Sequence, residues 1–132
     1  MLNGINHITL SVGHLERSFD FYVSVLDMKP EVKWATGAYL SAGSLWFCIS
    51  LGEALPAKDY SHICFDIAPA AFESYRGKLL LAGVKTWQNN RSEGNSLYLL
   101  DPDGHQLEIH VGSLESRLEQ LKVAPYDDLK WY

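Results

Sequence analysis

The stretch Asn90-Arg91-Ser92-Glu93-Gly94-Asn95-Ser96-Leu97-Tyr98-Leu99-Leu100-Asp101-Pro102-Asp103-Gly104-His105-Gln106-Leu107-Glu108-Ile109-His110-Val111 reads as a polar loop, a strand, a tight turn and a returning strand. Proline pre-sets φ at the second position of a turn and glycine is favoured at the fourth, so Pro102 and Gly104 place a turn that starts at Asp101. Side chains alternate faces along a strand. Ser96, Tyr98 and Leu100 therefore point one way. On the returning strand Glu108 and His110 share a face, while Leu107, Ile109 and Val111 share the other. A carboxylate on a core strand costs free energy unless it is paired or bound to a metal. Glu108 is the first residue singled out.

Outward from this stretch, the chain shows one pattern twice. Residues 60–67 alternate as a half-buried strand with His62 and Cys64 on one face. A helix follows with Pro69 near its start and Gly83 at its end, then extended runs at 84–88, 96–101 and 106–111. Upstream, residues 5–12 form the matching strand, with His7, Thr9 and Ser11 opposite Ile8, Leu10 and Val12. Residues 15–26 carry helical spacing, and extended runs follow at 31–34, 38–41 and 45–51. The fold class expected is α+β, built from two tandem βαβββ units within one domain over 1–132. Unit one spans 1–52 and unit two 59–112; a C-terminal helix at 114–122 and a tail complete 113–132. A unit of roughly 50 residues buries too little surface to stand alone, so the units are expected to pack on each other or on a second chain.

Composition narrows the function. A 132-residue chain with 47% hydrophobic and 20% charged residues is globular. Its net charge of -5 argues against a nucleic-acid partner. No apolar run approaches the ~20 residues that span a bilayer, so no membrane partner is expected. Two cysteines, Cys48 and Cys64, are not a disulfide scaffold. With no basic, apolar leader at the start, a cytoplasmic location is expected.

Aligning the units puts His7 on His62, Thr9 on Cys64, Tyr39 on Tyr98 and, if Leu45 matches Leu107, Trp46 on Glu108. The inward set is then His7, Trp46, His62 and Glu108, of which the indole cannot ligate. Two imidazoles and one carboxylate half-fill a coordination shell and suit Mn(II), Fe(II), Zn(II) or Ni(II). His110 competes for the role because it shares the face of Glu108. His14 and His105 are expected in solvent. Arg117 falls inside the apolar stripe Leu114, Leu118 and Leu121, where a guanidinium needs an anion or a pairing with Glu115 or Glu119.

The pieces Asn6-His7-Ile8-Thr9-Leu10, Gly37-Ala38-Tyr39-Leu40, Leu45-Trp46-Phe47-Cys48, Asp59-Tyr60-Ser61-His62, the Arg91-Ser92-Glu93-Gly94 loop and the 98–112 stretch resemble the vicinal-oxygen-chelate superfamily. Within it they are similar to the fosfomycin-resistance glutathione transferases of the FosA type. The resemblance implies a homodimer with exchanged units, each metal taking His7 from one chain and His62 and Glu108 from the other. It implies Mn(II), activation by K+, and addition of the glutathione thiol to the epoxide of fosfomycin, a small phosphonate. Thr9 and Tyr39 would be the catalytic residues, Thr9 hydrogen-bonding the substrate and Tyr39 the thiolate. Ser92, Ser96, Tyr98 and Arg117 would bind the phosphonate. Asn90, Ser92, Gly94 and Ser96 would cage the potassium ion. Trp34, Tyr39, Trp46 and Cys48 would meet glutathione.

Two positions depart from that pattern. Gln88 stands where the family has a lysine that reaches the phosphonate, and Lys85, three residues away on a strand, faces elsewhere. Cys64 faces inward where the family has a smaller residue. Three other readings compete: an Fe(II) extradiol dioxygenase, an enzyme using another thiol or substrate, and a non-catalytic dimer that sequesters an antibiotic, as bleomycin-binding proteins do. The dioxygenase would not need the 91–96 loop or Arg117, and the sequestering dimer would not need the His/His/Glu set.

Overall fold

A computed structural model describes residues 1–132. The first unit runs β1 (His7–Val12), α1 (Leu15–Asp20), β2 (Lys29–Trp34), β3 (Gly37–Ala42) and β4 (Leu45–Leu51). The second runs β5 (Ile63–Asp66), α2 (Phe72–Leu81), β6 (Thr86–Gln88), β7 (Ser96–Leu100) and β8 (Gln106–His110), and α3 (Leu114–Val123) follows. The strands form two four-stranded sheets in the orders β1-β4-β3-β2 and β5-β8-β7-β6, each with its first strand parallel to its last. This is the α+β, twice-βαβββ architecture expected from the repeat.

Local chemistry explains the elements. His14 caps α1, its Nδ1 accepting from the Arg17 amide at 3.2 Å, and stays exposed as expected. The helical run over 15–26 does not stay regular: beyond Asp20 it widens into a π turn at Phe21–Val25, closed by the Leu26 amide on the Phe21 carbonyl at 2.9 Å. A short 3₁₀ turn at Pro69–Ala71 leads into α2. Ser113 and Ser116 form a reciprocal cap at the start of α3. The strands expected to start at Ile5 and Tyr60 begin two and three residues later, so His62 stands just outside β5.

The two units share one core. Val12, Tyr22, Leu40, Phe47 and Ile49 from the first are buried with Leu79, Leu99, Leu107 and Ile109 from the second, and Phe47 meets Phe65 edge-on at 5.9 Å. The turn at Asp101 clips one unit to the other. Its backbone closes with the Gly104 amide on the Asp101 carbonyl at 3.0 Å. The buried Asp101 carboxylate accepts from the Asp103 and His105 amides at 3.0 and 2.8 Å and from the Tyr22 hydroxyl at 2.7 Å. Asp103 accepts from the Gly13 amide and Arg17. His105, expected in solvent, instead donates from Nε2 to the Ser11 carbonyl at 2.7 Å.

The register corrects the alignment of the units. Tyr39 pairs with Cys48 and Cys48 with Thr9; in the second sheet Tyr98 pairs with Glu108 and Glu108 with Cys64. Cys48, not Trp46, is therefore the counterpart of Glu108.

Candidate metal centre

The faces turned away from the core hold the chemistry. On the first sheet these are His7, Thr9, Tyr39, Trp46 and Cys48; on the second, His62, Cys64, Ser96, Tyr98, Glu108 and His110. Paired residues of neighbouring strands project to one side, which is why alternate residues of each strand gather there.

Glu108 is 7% exposed. Its Oε2 lies 2.9 Å from His62 Nε2, and its Oε1 accepts from the Ser96 hydroxyl at 2.7 Å. His62 Nδ1 lies 2.7 Å from the Tyr60 carbonyl, an acceptor only, so this nitrogen carries the proton. In the neutral ring Nε2 then presents a lone pair to a carboxylate oxygen. Two acceptors facing each other at this distance are reconciled by a second proton on the imidazole or by a cation shared between them. This donor pair, with its proton-fixing Tyr60 partner and supporting Ser96, fits a divalent metal of the Mn(II), Fe(II) or Zn(II) kind. Burial pushes the Glu108 carboxyl up, but the Ser96 hydroxyl and His62 together outweigh it and leave it below the usual value.

His7 does not join them within one chain. Its Nδ1 lies 2.8 Å from Asn6 Oδ1 and its ring 4.4 Å from that of Trp46. No three His, Cys, Asp or Glu side chains of a single chain converge so as to hold a metal ion. Thr9 and His62, however, line one open groove of about 520 Å³ between β1 and β5.

A strip of aromatic rings runs along the first sheet. Trp34 meets Tyr39 edge-on at 4.8 Å, Tyr39 meets Trp46 at 5.1 Å, and Trp46 leads to His7. Trp34, Tyr39 and Trp46 are 41%, 37% and 39% exposed. Cys48 is buried beneath them, paired across the sheet with Tyr39 and Thr9.

On the second sheet Ser96 and Tyr98 flank Glu108, and Gln88 and Ser92 stand beside Tyr98. A β-bulge at Trp87 sets Gln88 opposite Tyr98, where an unbroken ladder from the Thr86–Leu99 pair would have set it opposite Leu97 on the core side. Gln88 donates to the Tyr60 hydroxyl at 3.3 Å. Burial pushes the Tyr98 phenol up, against the lowering effect of the Ser92 hydroxyl beside it. Lys85 lies elsewhere, in a groove with Arg17, Leu100 and Asp101. The bulge upsets the simple alternation that would set Lys85 on the opposite face; it is its place at the other end of the strand that separates it from Gln88.

The 90–96 loop closes on itself. Asn90 Nδ2 donates to the Gly94 carbonyl at 2.8 Å, and Asn90 Oδ1 accepts from the Ser92 amide and hydroxyl, both at 3.1 Å. Arg117 reaches this loop from α3 through Glu93, with Nε 3.3 Å from its carboxylate and Nη2 3.2 Å from its carbonyl. Neither Glu115 nor Glu119 takes the guanidinium. Cys64 pairs across the ladder with Glu108; burial and that carboxylate push its thiol up to about 12.

Two residues at the site carried no flag in the sequence. Tyr60 and Trp87 flank the His62 ring, at 4.9 and 5.5 Å, and the Trp87 indole is fixed by donating to the Leu107 carbonyl at 2.9 Å. Tyr60 shares the parity of His62, a usable signal; Trp87 is the bulged residue itself, and its ring meets that of Tyr98 edge-on at 5.3 Å.

A helix–sheet repeat with a part-buried imidazole–carboxylate pair on its second sheet defines the class: the chain belongs to the Glyoxalase/Bleomycin resistance protein/Dioxygenase superfamily, whose family model matches residues 4–109. Within it the likeness is to fosfomycin-resistance proteins. The chain is 46% identical to the glutathione transferase FosA of Serratia marcescens, over 96% of this chain and 93% of that protein. It is 36% identical to the metallothiol transferase FosB of Shouchella clausii, over 95% and 92%. The crystal structure of the fosfomycin resistance protein FosX of Listeria monocytogenes, complexed with Mn(II) and sulfate, superposes with a TM-score of 0.82 at 30% identity, over 91% of this chain and 98% of that one. No helix of this chain is long and apolar enough to cross a membrane.

Proposed function

We propose that this protein is a metal-dependent glutathione transferase that opens the epoxide of fosfomycin. The observation that carries the reading is the facing pair of acceptors, His62 Nε2 and Glu108 Oε2, with the hydrogen-bonding side chains of Tyr98, Gln88 and Ser92 next to it. The likeness to FosA and to a FosX that binds Mn(II) and sulfate supports it.

The working form is a homodimer with exchanged units. The strip Trp34, Tyr39 and Trp46 leaves an apolar face in water, the mark of a surface meant to be covered. Set against the second sheet of another copy, this face brings His7 to His62 and Glu108. Two imidazoles and a carboxylate leave coordination positions open, and Mn(II) bound there supplies Lewis-acid polarisation of the epoxide oxygen.

The chain's own residues do the rest. Tyr39 donates a hydrogen bond that holds the glutathione sulfur as a thiolate, and Thr9 donates to the oxygen that leaves carbon. The thiol gives its proton to solvent, the sulfur bonds to an epoxide carbon, the C–O bond breaks, and the oxygen takes a proton back from solvent. Trp34 and Trp46 pack on the tripeptide above Cys48. Gln88, Ser92 and Tyr98 hold the phosphonate, and Arg117 offers its guanidinium when Glu93 releases it. Asn90, Ser92, Gly94 and Ser96 hold K+ beside that anion.

The test is loss of free glutathione thiol on mixing the protein with fosfomycin and Mn(II), with and without K+. Loss that needs the metal and quickens with K+ is expected. If Mn(II) binds but thiol is not lost, the product decides: an adduct of another thiol, or a diol formed with water, replaces glutathione as the nucleophile. Metal-independent capture of intact fosfomycin would overturn the enzymatic reading.

A further inference from the structure

The mechanism above leaves the half-buried imidazole of His110 unused. His110 shares the face of Glu108 and sits against it, yet its Nδ1 is 3.7 Å from Glu108 Oε1, beyond hydrogen-bonding distance. Between them stands Ser96, whose hydroxyl oxygen is 2.7 Å from Glu108 Oε1 and 2.7 Å from His110 Nδ1. A hydroxyl has one proton, and a carboxylate only accepts. The Ser96 proton therefore points to Glu108, and His110 must supply the proton of the other contact from Nδ1.

The imidazole is held in that orientation by the backbone. A Cβ on Gly94 would stand 2.8 Å from the His110 ring, and one on Gly112 would stand 2.6 Å from it. Both glycines have positive φ, +80° and +151°, a region where side chains are disfavoured. The ring thus fills a slot between the 90–96 loop and the turn into α3, which only glycine on either side leaves open.

We infer that His110 is a positioning residue for Glu108: a one-way chain, His110 Nδ1–H to Ser96 Oγ–H to Glu108 Oε1, pins the carboxylate so that Oε2 faces His62. Metal-bound carboxylates owe much of their affinity to such outer partners. The chain also reassigns Ser96. Its one proton is committed to Glu108, so its hydroxyl has none to give the phosphonate.

The inference rests on Glu108 being a metal ligand, and its test separates the two. Mn(II) affinity is measured by the loss of the free-ion EPR signal in the wild type, His110→Leu, Ser96→Ala, the double variant and His110→Asn. The first two are expected to weaken binding about tenfold to a hundredfold. The double variant is expected to be no weaker than either, because both break one chain. Asn, whose side-chain amide can stand where Nδ1–H stood, is expected to restore near-wild-type affinity. Unchanged binding in His110→Leu, or His110→Asn as weak as His110→Leu, overturns the inference while leaving the metal reading intact. The second measurement is the His110 tautomer by ¹⁵N NMR in metal-free wild-type protein. Nδ1–H is expected, and Nε2–H overturns the chain. If the wild type takes up no Mn(II), the metal reading falls, and the tautomer alone decides the chain.

Discussion

Glu108→Gln separates the two ways of resolving the contact at the centre of the site. In the wild-type protein His62 Nε2 and Glu108 Oε2 are 2.9 Å apart, with Nδ1 already donating to Tyr60. In the neutral form of the ring both facing atoms are acceptors. Glutamine keeps an oxygen for the Ser96 hydroxyl and turns an N–H toward Nε2, converting the opposed pair into a hydrogen bond worth about 1 kcal/mol. The metal-free variant should therefore melt no lower than wild type, and up to a few degrees higher for 132 residues. Metal reverses the order. Mn(II) at a hundred times its dissociation constant stabilises the wild type by about 2.7 kcal/mol, or roughly 10 °C. A hundredfold loss of affinity in the variant cuts this to about 0.4 kcal/mol, a degree or two. Thermal melts of both proteins with and without Mn(II) read all four states. An undiminished Mn(II) shift in Glu108→Gln would refute the ligand assignment, and a lower metal-free melting point at alkaline pH would refute the opposed-acceptor geometry.

Three further outcomes follow from particular contacts. Gln88→Lys adds a cation beside Tyr98 and should lower the KM for fosfomycin several-fold, on the order of 1 kcal/mol for one charge-assisted contact; an unchanged KM would mean that position 88 does not touch the phosphonate. Asp101→Ala strips partners from the Tyr22 hydroxyl and the Asp103 and His105 amides, and should cost about 3–5 kcal/mol in urea unfolding. Asp101→Asn, which still accepts from both amides, should cost less than half of that; equal losses would show that the charge alone matters. Burial, with Asp27 nearby, pushes the Tyr75 phenol up to about 12 from 10.0. A raised folded value means its stabilisation is complete below pH 10 and fades as pH rises toward 12. Tyr75→Phe should flatten that alkaline loss of stability, and an identical decline in the variant would place its origin elsewhere.

The fold was legible because both of its signals are local. Strands with period-two alternation and turns with Pro and Gly at set positions occur twice in one order, and the observed sheets repeat that order. What alternation cannot see is a shift of two residues, since every side chain stays on its own face. That is how Trp46 was matched to Glu108 when the ladder gives Cys48. The hairpins differ by one residue between Tyr39–Cys48 and Tyr98–Glu108, whereas the apolar pattern after each turn suggested three. Bulges were equally hidden. Each unit carries one, between Pro30 and Val32 and between Thr86 and Gln88, and the second alone explains how Gln88 comes to the site.

The site was legible as residue types and illegible as a hydrogen-bonding order. Glu108 declared itself by being a carboxylate among apolar neighbours, and His62 by repeating His7. Nothing in the sequence says which way the proton of Ser96 points. The resemblance gave Ser96 to a phosphonate and to potassium, and nothing in the spacing joined it to Glu108. Only the positions of three atoms, Glu108 Oε1, Ser96 Oγ and His110 Nδ1, commit it. The same holds for Arg117, whose place in an apolar stripe demanded an anion without naming one. The structure supplies Glu93, from the very loop assigned to K+. A phosphonate entering beside Tyr98 would compete with that carboxylate, and Glu93, once displaced, would leave an acidic group free next to the loop oxygens of Asn90 and Gly94. Anion binding at Arg117 and cation binding at the loop are then coupled through Glu93. On this argument Glu93→Gln should weaken the K+ dependence of turnover as well as the Arg117 contact. Full K+ activation in that variant would show the two sites to be independent.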